Sequence, residues 1–338
     1  MVDLEDVRLA RIARRRFGLD METIARAFDA LGDASDRNLV RVLHERGSIT
    51  SEQALDLARL QRKARPGGLK LVSVLGKGAS ATVYEGRDAQ GDRFAVKVMR
   101  GSSEADYHRR EREVRALDRL RHPSIPRLLT LGEVSDRPFY VMDLVPGETL
   151  SSLAKEKGNL EWPLVVEVGL AVARALEHVH ARGMVHRDVK PSNVLVTEGG
   201  ARLLDFGLAC RRGEVCSETA VGTPGYMSPE LARGERASAE ADVYSFGAML
   251  YFTLTSHYPF AADTAHEMIR LAADPSLVAK PLLAFRDDLP ARLIAVVEGC
   301  MEKDPAKRPT CAEIVGALER SQAVAPLLRR RRYRIRAA

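Results

Sequence analysis

The chain has no CxxC pair, no Walker A loop and no apolar run fit to span a bilayer, and each absence removes a class of protein. Of its four cysteines, Cys210, Cys216, Cys300 and Cys311, the first two are too few and too isolated for a zinc site. No secretory leader precedes them, so reduced thiols and a cytoplasmic location are expected. The most apolar long stretch, VYSFGAMLYFTLTSHYPF (243–260), follows Asp242 and is broken by Ser, Thr, His and Pro. A buried core helix suits it better than a membrane span. The glycine-rich turn GKGASA (76–81) lacks the Gly-Lys-Ser/Thr ending of a Walker A loop.

Excess charge is also missing from most of the chain. The net charge is +6, and the tail AVAPLLRRRRYRIRAA (323–338) carries six arginines and no acid. The remainder is therefore neutral, which argues against specific nucleic-acid binding. The tail reads as a solvated end or as a segment attracted to an anionic membrane surface.

What is present falls into blocks. Residues 1–65 are rich in Ala, Leu and Arg at helical spacing. GLDMETIARAF (18–28) and SITSEQALDLA (48–58) echo one another, and Thr50 with Gln53 forms a capping box. Asp20 is placed to cap the first of them. Two helical hairpins are expected, with Arg14–Arg16 on a solvated face and an unidentified partner. RKARPGG (62–68) reads as a linker ending over residues 66–68. LKLVSVLG, ATVYEGR and RFAVKVM then alternate as strands, and helical periods dominate from about residue 148.

Polar chemistry concentrates at breaks between apolar elements. HRDVKPSN (186–193) lies between the helical run LVVEVGLAVARALEHVH (164–180) and the strand-like VLV (194–196). Asp188 and Asn193 sit on one tight loop, and Asp205 follows in LLDFG. A carboxylate and an amide oxygen converging near phosphates make a hard site suited to Mg²⁺. Asp188 would then be free to accept a hydrogen bond from an incoming hydroxyl, with Lys190 neutralising charge on a transferred phosphoryl group. Gly76 and Gly78 let backbone approach phosphate oxygens where a Cβ would clash. Lys97, in the strand AVKVM, needs a carboxylate from YHRREREVRALDRL, either Glu113 or Glu111.

The ordered set GKGASATV, AVK, Glu113 before HP, HRDVKPSN, DFG, SPE, DVYSFG and DPAKRP resembles the serine/threonine protein kinase domain of the Hanks type found in bacteria. The resemblance covers residues 69 to about 320. It implies an α+β bilobal fold, with a small β-rich N-lobe (69–145) and a larger helical C-lobe (146–322), preceded by a small all-α domain. It implies ATP as co-substrate, Mg²⁺ or alternatively Mn²⁺, and protein substrates with Ser or Thr acceptors. Carried onto this chain, Lys97 pairs with Glu113, Asp188 positions the hydroxyl, Lys190 meets the γ-phosphate, and Asn193 and Asp205 hold the metal. Gly76, Lys77, Gly78, Ala79, Ser80 and Ala81 cover the phosphates. Leu75, Val83, Ala95 and Leu195 enclose adenine, with Met142 as gatekeeper, Asp143 to Val145 as hinge and Glu148 also at the nucleotide. Leu117, Leu128, His186 and Phe206 would stack as a spine, Asp242 would anchor the catalytic loop, and Glu230 would pair with Arg308.

Thr223 in GTPGYMSPE fits Ser/Thr specificity, and the segment from Asp205 to Glu230 should be the activation loop. Ser217 and Thr219 are its expected autophosphorylation sites, with Arg187 to dock the phosphate. Two rivals share the fold: a pseudokinase scaffold and a small-molecule phosphotransferase. The first requires a lesion at Lys97, Asp188, Asn193 or Asp205, and all four are intact. The second does not explain GTPGYMSPE or Arg308.

Overall fold

A computed structural model describes residues 4–31, 39–55, 57, 69–78, 81–88, 90–99, 117, 119–134, 137–206, 208–211 and 222–322. Glu111, Glu113, Ala79, Ser80, Cys216, Ser217, Thr219, the linker and the basic tail lie outside them. The chain divides into two compact units. One comprises Met1–His108 with Arg127–Leu144, and the other Arg109–Pro126 with Val145–Ala338.

The first unit begins with helices α1 (Leu4–Phe17), α2 (Met21–Leu31) and α3 (Leu39–Glu45). Their apolar periods close a core of their own around Leu9, Ala13, Ile24, Ala27, Leu39, Leu43 and Leu57. Both expected caps form. The Thr23 amide donates to Asp20 Oδ1 at 2.7 Å. The Thr50 amide donates to Gln53 Oε1 at 2.8 Å, and the Gln53 amide returns a bond to Thr50 Oγ1 at 3.3 Å. Thr50→Ala should cost about 1 kcal/mol locally, read as faster amide exchange at Gln53 and Ala54 with little change elsewhere.

The same unit holds an antiparallel sheet in the order β1 (Lys70–Lys77), β2 (Ala81–Arg87), β3 (Arg93–Met99), β5 (Arg137–Asp143), β4 (Leu128–Val134), with α1 beside β4. The three strands expected from alternation are β1, β2 and β3. Directly paired residues share a face of a sheet, as do residues two apart on one strand. The pairings Gly76↔Val83, Val83↔Lys97, Lys97↔Tyr140 and Ala95↔Met142 therefore place Gly76, Val83, Ala95, Lys97 and Met142 on one face.

In the second unit, helix Trp162–His180 lies against helices Ala239–Thr255 and Cys311–Gln322. Ala239–Thr255 is buried almost all round, as a core helix should be. Two short hairpins position the polar residues. β6 (Glu148–Thr149) pairs with β8 (Val194–Thr197), and β8 pairs with β9 (Gly200–Leu203). Gly147 permits the first pairing, because a Cβ there would stand 2.4 Å from the Val196 carbonyl oxygen. β7 (Met184–Val185) pairs with β10 (Cys210–Arg211) and delivers the chain into the loop 186–193. Beyond its three helices the first unit is β-rich, and the second is mainly helical, as the resemblance implies.

Candidate active site

The loop 186–193 hangs from one buried carboxylate. Asp242, on the core helix, is fully buried and accepts from the backbone N–H of His186 and of Arg187, each at 2.7 Å. His180 Nε2 donates a third bond to Asp242 Oδ2 at 2.8 Å. Burial alone would raise the Asp242 pKa. The His180 hydrogen bond, the neighbouring His180 and His186 rings and the His186 amide outweigh it and hold the carboxyl below its ordinary value. A tightly ionised anchor results, with Cys311 Sγ 3.5 Å from His180 Nδ1 behind it.

The backbone of this loop and of the segment at Asp205 takes sparsely populated conformations. Arg187 has φ 69° and Asp205 φ 59°, both in the left-handed region that side chains disfavour. His186 clamps the two segments together. Its Nδ1 accepts from the Asp188 amide at 3.2 Å, so Nε2 carries the proton and donates to the Leu204 carbonyl at 3.0 Å. The Leu204 amide donates to the Asn193 carbonyl at 2.7 Å, and the His186 ring meets Phe206 edge-on at 4.7 Å. Asp205 is thereby held, exposed, beside the loop that carries Asn193.

At the loop's tip the side chains interlock. Lys190 Nζ lies 2.7 Å from Asp188 Oδ2, and Asn193 Nδ2 donates to the same oxygen and to the Asp188 carbonyl at 2.9 Å each. Those two bonds turn the Asn193 side-chain oxygen away from Asp188, as a hard cation ligand requires. Asp188 Oδ1 accepts from the Thr223 hydroxyl at 2.9 Å, and that hydroxyl accepts from Lys190 Nζ at 2.8 Å. This corrects one expectation. Asp188 is not free, because a nearly buried carboxylate takes the nearest donor, and Thr223 supplies it from 35 residues away. Arg187 is buried too. Its Nη1 donates to the Leu208 carbonyl at 3.4 Å, and its Nε has no partner among the described residues.

The other candidate residues are placed within their own units. In the sheet, Lys97 is 6% exposed with its Nζ 5.6 Å from the centre of the Tyr140 ring. Leu75 is exposed and unpaired in the bulge between Val74 and Gly76. The Gly78 amide closes the turn onto the Ala81 carbonyl at 2.9 Å, and Lys77 pairs with Thr82. The Asp143 carboxylate is turned toward Arg127, whose amide donates to Oδ2 at 3.2 Å. In the larger unit, Glu148 pairs with Val196 and Leu195 with Thr149 across β6 and β8, and Val145 is half-buried. Leu117 and Leu128 are buried. The contacts made by His180, Cys311 and Thr223 were not legible from spacing.

Arg308 and Glu230 form a forked ion pair at 2.6 and 2.9 Å, with side chains 0% and 4% exposed. An anchored carboxylate loop, a lysine-bearing sheet face and a buried Arg–Glu brace recur together in one family of known proteins. The protein kinase domain family matches residues 69–317. AfsK, a serine/threonine-protein kinase of Streptomyces coelicolor, is 34% identical over 75% of this chain and 32% of its own length. PknK of Mycobacterium tuberculosis is 35% identical over 74% of this chain and 23% of its own length. RqkA of Deinococcus radiodurans, named as a DNA damage-responsive serine/threonine-protein kinase, is 39% identical over 60% of this chain and 32% of its own length. The chain spans 23–40% of the length of the curated relatives it matches. With the family match covering residues 69–317, well over half of the chain, the chain belongs to the protein kinase domain family.

Proposed function

We propose that the chain is a serine/threonine protein kinase that transfers the γ-phosphate of ATP to aliphatic hydroxyls of protein substrates. The observation that carries this is the Thr223 hydroxyl, held between Asp188 at 2.9 Å and Lys190 at 2.8 Å. Its proton points at a carboxylate and its oxygen faces an ammonium, which is the setting an attacking serine or threonine requires. Asp188 would orient the acceptor hydroxyl and take its proton, and Lys190 would meet the charge growing on the phosphoryl oxygens. Lys97 would hold the α- and β-phosphates, with Val83, Ala95, Met142 and Leu195 against adenine.

Asn193 and Asp205 would hold the divalent cation, Mg²⁺ or Mn²⁺. No group of three His, Cys, Asp or Glu side chains fit for a metal occurs among the described residues. Two hard oxygens suffice for Mg²⁺, which completes its shell with phosphates and water. When bound, the cation neutralises phosphate charge. The buried Arg187, whose Nε has no partner among the described residues, supports docking of a phosphorylated loop residue, Ser217 or Thr219.

The test is incubation of the purified chain with Mg²⁺, radiolabelled ATP and a generic protein acceptor. Wild type should label the acceptor and itself, with phosphate found by mass spectrometry within residues 210–223. Asp188→Asn and Lys97→Ala should label neither. Equal labelling by all three would overturn the proposal.

A further inference from the structure

The larger unit carries a second cluster of polar side chains that phosphoryl transfer does not use. Arg174 and His178 are four apart on helix Trp162–His180 and so share a face. Arg182 folds back over that face, its Nη1 lying 3.0 Å from His178 Nδ1 and donating to the His178 carbonyl at 3.1 Å. The Arg121 backbone amide approaches His178 Nε2 at 3.3 Å. The His122 ring lies 5.2 Å from the His178 ring, centre to centre, and its Nδ1 accepts from the Ser124 amide at 3.1 Å. His122 therefore carries its proton on Nε2. The Leu203 amide donates to the Ser124 carbonyl at 2.8 Å, which brings Arg202 of β9 alongside.

Two features of this cluster call for an anion. The first is the shortage of acceptors. Glu319 holds Arg174 at 2.6 Å, but among the described residues no carboxylate pairs with Arg182 or Arg202. Burial, and then the His178 ring and the charges of Arg174, Arg202 and Arg182, hold His122 below the ordinary imidazole pKa, while burial and Arg182 do the same for His178.

The second feature is a conflict at His178. Both of its ring nitrogens face groups that only donate, a guanidinium and a backbone amide. A neutral imidazole offers one acceptor and an imidazolium none, so one of these contacts sets donor against donor. An acceptor-only ligand relieves it. Arg182 turns to the ligand, His178 keeps the Arg121 amide at Nε2, and its Nδ1–H donates outward beside His122 Nε2–H.

We propose that this surface, formed by His122, Arg174, His178, Arg182 and Arg202, is a docking site for a phosphate monoester carried on a peptide. Two imidazole N–H groups and the guanidinium forks outnumber what one carboxylate accepts, whereas a phosphate ester presents three strong acceptor oxygens and up to two charges. Arg174 and Arg182 are exposed, so the site is open and suits a group presented by a polypeptide. Choosing phosphoserine as its bearer rests on the kinase reading, since that residue is the proposed product.

The test is fluorescence anisotropy without ATP, using a labelled peptide with one phosphoserine flanked by glycines. Wild type and Asp188→Asn should bind alike, which separates docking from catalysis. Arg182→Glu with Arg202→Glu should weaken binding by about tenfold or more, as expected for lost charge-assisted bonds. The double variant should keep its melting temperature and its rate on an unphosphorylated acceptor. Three results would each overturn the proposal: unchanged affinity in the double variant, equal binding of the unphosphorylated or glutamate-substituted peptide, or inorganic phosphate competing as well as the phosphopeptide.

Discussion

Asp188→Asn should lower the phosphoryl-transfer rate by about 10²–10⁴-fold, the range a positioned proton acceptor contributes. Stability should change by no more than about 0.5 kcal/mol, because the hydrogen bonds can be rearranged in place. The retained oxygen can face Lys190 Nζ at 2.7 Å and Asn193 Nδ2 at 2.9 Å. The new NH₂ then faces Thr223, whose hydroxyl can accept as readily as it donates. What the variant cannot do is take a proton from a substrate hydroxyl. Initial rates at saturating ATP, set beside a urea midpoint, would distinguish the two effects. A rate loss below tenfold would exclude Asp188 from proton transfer, and a large fall in midpoint would show that the loop had collapsed instead.

Arg308→Ala should have the largest effect on stability, about 3–5 kcal/mol, because it strands a buried carboxylate. Arg308 is fully buried and does more than pair with Glu230. Its Nε donates to the Glu302 carbonyl at 2.7 Å, and Nη1 to the Glu240 carbonyl at 2.8 Å. Removing the guanidinium leaves a buried charge unpaired and takes one donor each from the Glu302 and Glu240 carbonyls. Arg308→Lys should recover only part of this, since a single ammonium cannot reproduce the fork. Glu230→Met combined with Arg308→Met should exceed Arg308→Ala in stability, since no charge then remains buried. Urea unfolding of these three variants beside wild type would show the order. Arg308→Ala equal to wild type would mean that solvent reaches Glu230 in the folded state.

Much of this architecture was legible because its signals are short-range. Alternation marked β1, β2 and β3, the broken apolar run 243–260 marked the core helix, which stops at Thr255 where Ser256 turns left-handed, and the caps at Asp20 and Thr50 act across three residues. Asp188, Asn193 and Asp205 stood out because a carboxamide and carboxylates clustered between apolar elements have few structural uses. The Asp242 anchor and the Glu230–Arg308 brace were legible only through family resemblance, since residues 55 and 78 apart have no common period.

By itself the sequence determined the elements and the order of the chemistry, because capping, pleating and turn formation depend on residues a few positions apart. Only the tertiary structure decided which donor each buried acceptor receives. It gave Asp188 the Thr223 hydroxyl, gave Asp242 the His180 ring, and left His178 facing two donors. A desolvated polar atom bonds to whatever lies within about 3 Å, and that neighbour is chosen by packing rather than by position along the chain.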